Sequence, residues 1–242
     1  MHTSDQKPDV ATTFLIEERD EMPKGETWSF TNIEQLVAEL RKQDWKKNLR
    51  EVHLKNLDLG PLTAIYHAVS YSTYRSFRKH KDWTPSVVFR GWAAKELFDC
   101  ELENLAEVRS HDQYHAWAVR LARSVSKEWL KRLKYELDVP RALKLINLLA
   151  KGLCIVSPLW PQEYDKIIWH VEVPLDKYSL RPLSCVSELG GLGIRWSDAS
   201  MGAVKDLKTY RKIQGSIFRL CEKAGVPALA YDFLAWDSPH QD

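Results

Sequence analysis

PRALKLINLLAKGLCIVSPLWPQEYDKIIWHVEVPLDKYSLRPL, residues 140–183, is the stretch on which the reading of this chain turns. Pro140 stands where a helix begins, because the first turn does not need its missing N–H. Leu143, Ile146, Leu149 and Leu153 then give an apolar stripe at helical spacing. Lys144 and Lys151 are seven residues apart, close to two turns, so they share a face. Asn147 falls between them, and the ordinary reading of the three is a solvated stripe. A connection rich in Pro and Trp follows, then Val173-Pro174-Leu175-Asp176. Asp176 has the chemistry of an N-cap for a second apolar helix carrying Tyr178 and Leu180.

Outward from this stretch the signals are almost all helical. Thr31, with Glu34 three residues on, reads as a capping box before Ile33, Leu36, Val37 and Leu40. Residues 52–57 alternate and suggest a short strand or a loop with apolar anchors. Gly60-Pro61 opens a helix to about Phe77. It ends in the cations Arg75, Arg78, Lys79 and Lys81, which suit a helix C-terminus and are also candidates for phosphate contact. Helices are expected at 85–98 and 101–109. A longer one, at 112–136, has Trp117, Leu121, Trp129 and Leu133 inside and Arg120, Arg123, Lys127, Lys131 and Lys134 outside. Gly190-Gly191-Leu192-Gly193 lacks the residues of a phosphate loop and reads as a flexible connection. A helix from Ser200 to Ala224 is closed by Gly225, with Pro227 just past. A last helix carries Asp232 and Trp236, which share a face at i and i+4. The expectation is an all-α protein: a polar arm over 1–28, then one helical domain over 29–242, divisible at 139/140.

Composition narrows the function without fixing it. The chain has 242 residues, enough for one large core or two small lobes. Its formal net charge of +2 neither demands nor excludes nucleic acid. No apolar run reaches the roughly 18 residues of a spanning helix. The first residues lack a signal-peptide pattern. A cytoplasmic protein that does not enter a membrane is expected. Cys100, Cys154, Cys185 and Cys221 form no CxxC pair, so free thiols are expected and no metal. Most of the ten tryptophans should be core, with a few able to stack on bases. His111 and His115 are spaced like two ligands of HExxH, but Asp112 stands where the Glu should be. A surface pair is the simpler reading. Cys154 with His170 would make a Cys–His enzyme, without a local signature for one.

Taken together, the Pro-apolar-Asp turn at 174–176, the Lys144/Lys151 pair and the C-terminal Pro227…Asp232…Trp236 series resemble the helix-hairpin-helix DNA glycosylases. The likeness is greatest to the archaeal 8-oxoguanine DNA glycosylase family and covers residues 140–237. That resemblance implies two helical lobes with a base-binding cleft between them. It implies a DNA partner, no cofactor and a monomer. Lys144 would be the nucleophile and Asp176 the essential carboxylate, with Lys151 in support or as the alternative nucleophile. Asp232 would hydrogen-bond the extruded base and Trp236 would stack on it. Arg75, Arg78, Lys79, Lys81 and Lys177 would contact the DNA backbone. The base would be an oxidised purine such as 8-oxoguanine, or a modified phage base such as a glucosylated hydroxymethylcytosine. The chain departs from the family in lacking an LPGVG-type hairpin and in carrying Lys177 directly after the aspartate. Two rival readings are a non-catalytic helical DNA- or RNA-binding protein and a helical interaction protein with no nucleic-acid role.

Overall fold

A computed structural model describes residues 30–48, 68–96, 102–156 and 164–237. Every regular element among them is helical. The helices are α1 (Ile33–Lys42), α2 (Pro85–Glu96), α3 (Leu102–Ala106), α4 (His111–Leu133), α5 (Val139–Val156), α6 (Tyr164–Ile167), α7 (Lys177–Cys185), α8 (Leu207–Ala224) and α9 (Ala228–Asp237). The all-α expectation therefore holds for the described residues. The polar arm, the alternating segment at 52–57 and Cys100 lie outside them. No helix among the described residues is long and apolar enough to cross a membrane.

The central pairing is α4 against α5. Trp117, Leu121, Val125, Trp129 and Leu133 of α4 are buried against Leu145, Ile146, Leu149 and Leu153 of α5 and their neighbours. The cations expected on the outer side of α4, Arg120, Arg123, Lys127, Lys131 and Lys134, are all exposed. On one flank α2 lies on α4; on the other α1 and α9 lie on α8, and α7 on α9. One apolar cluster runs through the whole assembly, from Phe30 to Ala235.

Several boundaries differ from expectation, each for a local reason. Asn32, not Thr31, caps α1, its side chain accepting from Gln35 N at 2.9 Å. Gln35 Oε1 accepts from Thr31 N, the residue before the cap, so Gln35 takes the part expected of Glu34 without closing a box on the cap residue. Around Tyr71 the chain forms a 3₁₀ turn, Tyr71–Ser76, instead of continuing an α-helix to Phe77. Ser70 precedes it in extended conformation, and its hydroxyl bonds those of Ser72 and Thr73. Such local side-chain bonds compete with the helical ladder. The glycine run is not an open linker either. It belongs to a 3₁₀ turn, Ser187–Leu192, closed by Gly193 at φ 67°, and Lys212 Nζ donates to Gly191 O. Nor does one helix run from Ser200. A 3₁₀ turn, Met201–Ala203, ends first, and Asp206 then caps α8 by accepting from Thr209 N at 2.6 Å. Gly225 ends α8 at φ 72°, as its position before Pro227 suggests.

Candidate active site

Helices α5 and α9 and the turn that opens α7 bring the charged groups together. Residues 171–175 are all buried and belong to no helix. Asp176 ends this run and caps α7 with a full capping box. Its Oδ1 accepts from Tyr178 N at 2.9 Å and Ser179 N at 3.1 Å, while Asp176 N donates to Ser179 Oγ at 2.8 Å. The other oxygen, Oδ2, stands 3.5 Å from Lys144 Nζ on α5. That separation is long beside the roughly 2.7–2.9 Å of a tight ammonium–carboxylate bond. Lys144 is thus near the acid but loosely held.

Lys151 is held differently. Its Nζ lies 2.5 Å from Asp232 Oδ2 on α9, and the Asp232 side chain is only 2% exposed. Burial pushes the Asp232 carboxyl above its ordinary range, and the Lys151 ammonium beside it pulls in the opposite sense. The second oxygen, Asp232 Oδ1, is buried with no hydrogen-bond partner among the described residues. An unmet buried acceptor of this kind costs about 1–3 kcal/mol.

These groups line one cleft of about 970 Å³. Lys144, Lys151, Asp176, Lys177, Asp232 and Trp236 are all on its wall. Trp236 is 39% exposed and its ring lies 4.7 Å from that of Tyr178. The lining also includes the hydroxyl residues Ser70, Ser72, Thr73 and Ser76, and the cations Arg78 and Arg141. Arg78 stacks over Tyr135 at 4.9 Å. Five cations and three carboxylates line the cleft, Glu136 being the third carboxylate. Of the proposed backbone contacts, Arg78 and Lys177 reach this cleft; Arg75, Lys79 and Lys81 are exposed and stand outside its lining.

Close approach forms one end of the cleft. A Cβ on Gly152 would come within 2.3 Å of Ala68 Cβ and 2.7 Å of Ala68 Cα. Glycine beside Lys151 lets the segment that carries the hydroxyl wall dock on α5.

The solvated stripe on α5 is corrected. At about 100° per residue, Asn147 and Leu148 stand about 50° to either side of the Lys144–Lys151 line, Asn147 on the side of the core. Leu148 accordingly lines the cleft, and Asn147 is fully buried. Asn147 accepts from Tyr114 OH at 2.9 Å and donates to Tyr210 OH at 2.6 Å. The surface pair His111/His115 is corrected too. His115 is buried, and both imidazoles bond Glu172 Oε1, His111 Nε2 at 3.2 Å and His115 Nδ1 at 2.6 Å. Tyr210 OH donates to Glu172 Oε2 at 2.9 Å. Glu172 itself is fully buried. Burial pushes its carboxyl up, but the hydrogen bonds from His111 and His115 outweigh that and leave it below its ordinary value. The signal for it was in the sequence: a lone carboxylate within an apolar run needs buried donors.

A Cys–His mechanism finds no footing here. Burial pushes the Cys154 thiol up to about 12, far from a reactive thiolate. Cys221 is likewise buried, and Cys185 is partly so. Among the described residues no group of three His, Cys, Asp or Glu side chains is arranged to hold a metal.

No family model, curated protein or solved structure matches this chain.

Proposed function

We propose that the protein is a DNA glycosylase of the helix-hairpin-helix kind, with Lys144 as nucleophile and Asp176 as its carboxylate partner. The cleft would lie between two helical lobes, and duplex DNA would be the partner. The observation that carries the reading is the contrast between the two lysines. Lys151 is locked on a buried aspartate at 2.5 Å, whereas Lys144 stands 3.5 Å from an acid whose other oxygen is occupied by a helix cap. One amine is structural and the other is available.

The chemistry follows from that contrast. A base within a duplex is out of reach, so the nucleotide flips out at a cost of a few kcal/mol. The unprotonated Lys144 amine forms a bond to the sugar C1′ as the C1′–N bond to the base breaks. The electron pair leaves with the base, which takes up a proton. Asp176 Oδ2 stabilises the positive charge that builds on the sugar. Loss of the amine proton and ring opening give an imine, from which strand cleavage by elimination becomes possible. Trp236 stacks on the extruded base at roughly 1–3 kcal/mol. Asp232, with its unmet oxygen, reads the base edge. Arg78 and Lys177 at the cleft receive phosphate. The hydroxyl wall leaves room beside one base, so a base enlarged by a sugar fits the proposal as well as an oxidised purine.

Borohydride trapping on duplexes bearing oxidised, deaminated, alkylated and glucosylated bases tests the reading. A covalent adduct with at least one duplex is expected, lost in Lys144→Gln and kept in Lys151→Gln. The reverse pattern would make Lys151 the nucleophile. Binding to every duplex with neither adduct nor base release would mean a non-catalytic nucleic-acid module. Such a module would use the basic patches around residues 75–81 and 120–134, whose cations apart from Arg78 stand outside the cleft lining.

A further inference from the structure

The largest feature that this chemistry leaves unused is the buried polar network behind the cleft. Its centre is the Tyr210 hydroxyl. It donates to Glu172 Oε2 at 2.9 Å and accepts from Asn147 Nδ2 at 2.6 Å and Gln214 Nε2 at 3.0 Å. Gln214 also holds both backbone groups of Val173, accepting from its N at 3.2 Å and donating to its O at 2.7 Å. Four parts of the fold therefore meet at one point. They are α4 through His111, His115 and Tyr114; α5 through Asn147; the run before Asp176 through Glu172 and Val173; and α8 through Tyr210 and Gln214.

Two of those parts carry the reacting pair. Asn147 is three residues from Lys144 and four from Lys151 on α5. Val173 and Glu172 are three and four residues before Asp176, within a non-helical run, 171–175, that is buried throughout. The separation of Lys144 and Asp176 is the offset of α5 from that run. No direct bond between the two lysine-bearing turns and the aspartate turn fixes it as firmly as the network does, since the Lys144–Asp176 contact itself is loose at 3.5 Å. His111 is further immobilised by stacking on Phe218 at 3.7 Å.

We propose that Glu172 and Tyr210, gripped by His111, His115, Asn147 and Gln214, are positioning residues that set the distance between Lys144 and Asp176. They touch no substrate and act through α5 and the run before Asp176. A buried carboxylate with three donors is a costly way merely to fill a core, because an apolar residue of like volume would do so without desolvation. What a satisfied network adds over an apolar core is a single fixed geometry. A displacement of about 1 Å at a reacting pair can cost on the order of 100-fold in rate.

This inference rests on the glycosylase reading for its rate readout but not for its geometric one. Tyr210→Phe removes one oxygen and keeps the ring. Glu172→Gln keeps the volume and removes the charge. Ser124→Ala serves as a part-buried control away from the network, deleting the acceptor of Trp92 Nε1 at 3.0 Å. Each variant would be assayed by thermal melt, by DNA affinity, by single-turnover release of whichever base the wild type excises, and by the labelling rate of Lys144 with acetic anhydride relative to exposed Lys127. Tyr210→Phe and Glu172→Gln should slow single turnover by about 10–100-fold, leave DNA affinity unchanged and alter the relative labelling of Lys144. Ser124→Ala should lower the melt and nothing else. If Tyr210→Phe behaves like Ser124→Ala, the positioning role is refuted, even should Glu172→Gln fail to fold. If the wild type releases no base yet the labelling of Lys144 still moves in Tyr210→Phe, the glycosylase reading fails and the positioning of the pair stands.

Discussion

Lys151→Met puts the two-lysine contrast under direct strain. The change keeps an unbranched side chain and removes the charge that faces Asp232. In the wild type the two groups are 2.5 Å apart, the lysine side chain 21% exposed and the aspartate 2%. Removing one partner of a buried pair costs about 3–5 kcal/mol, because the other charge stays behind. Lys151 keeps some contact with solvent, and Asp232 can escape by taking a proton, so about 3 kcal/mol at neutral pH is the expected loss. For a chain of this size that lowers the melt by about 6–12 °C. The pH dependence fixes the sign. Burial already holds the folded Asp232 carboxyl above its ordinary value, and without Lys151 it rises further. A raised carboxyl favours the folded state while protonated and loses that advantage as pH climbs through its folded value. The variant should therefore approach wild-type stability near pH 4 and fall away toward pH 7. Urea unfolding at several pH values, on Lys151→Met, Asp232→Asn and the double variant, measures this as a cycle. The double variant, with neither charge, should recover most of the loss. A penalty that does not vary with pH would refute the reasoning. So would a coupling under about 0.5 kcal/mol, the size of a surface pair.

Other perturbations test neighbouring parts of the same construction. Gly152→Ala gains about 1 kcal/mol of helix propensity, but its methyl would sit 2.3 Å from Ala68 Cβ. Overpacking of about 1–3 kcal/mol should win, and adding Ala68→Gly should rescue only in part because Ala68 Cα remains at 2.7 Å; a single variant more stable than wild type in thermal melts would contradict the close approach. Glu172 titrates the other way from Asp232. Its folded carboxyl is lowered, so its stabilisation is present above the unfolded value near 4.3 and lost as pH falls below it. Unfolding measured from pH 6 to pH 3 should have a steeper acid limb in wild type than in Glu172→Gln.

Local chemistry was readable in the sequence wherever one turn decides it. Asp176 announces a cap by type and position, and Gly225 announces a left-handed terminus before Pro227. The long helix α4 was readable because its apolar spacing persists over 23 residues. The misreadings at Asn147 and at the His111/His115 pair involve partners far along the chain. His115 and Glu172 are 57 residues apart, and Asn147 and Tyr210 are 63 apart. Asn147 and Leu148 flank the lysine line at about 50° each, so helical spacing alone did not say which faces the cleft and which the core. At Thr31–Gln35 the ambiguity was different: two adjacent polar residues could each cap, and Gln35 tipped the choice.

The divided carboxylate of Asp176 narrows what that position can tolerate. One oxygen serves the backbone of α7 and the other faces an amine. Serine, threonine or asparagine would satisfy the helix but bring no charge. Glutamate would bring the charge on a longer arm that no longer fits the turn. If Asp176 is the carboxylate of the proposed reaction, the requirements for folding and for reacting overlap on a single amino acid, which closes that site to drift from both directions.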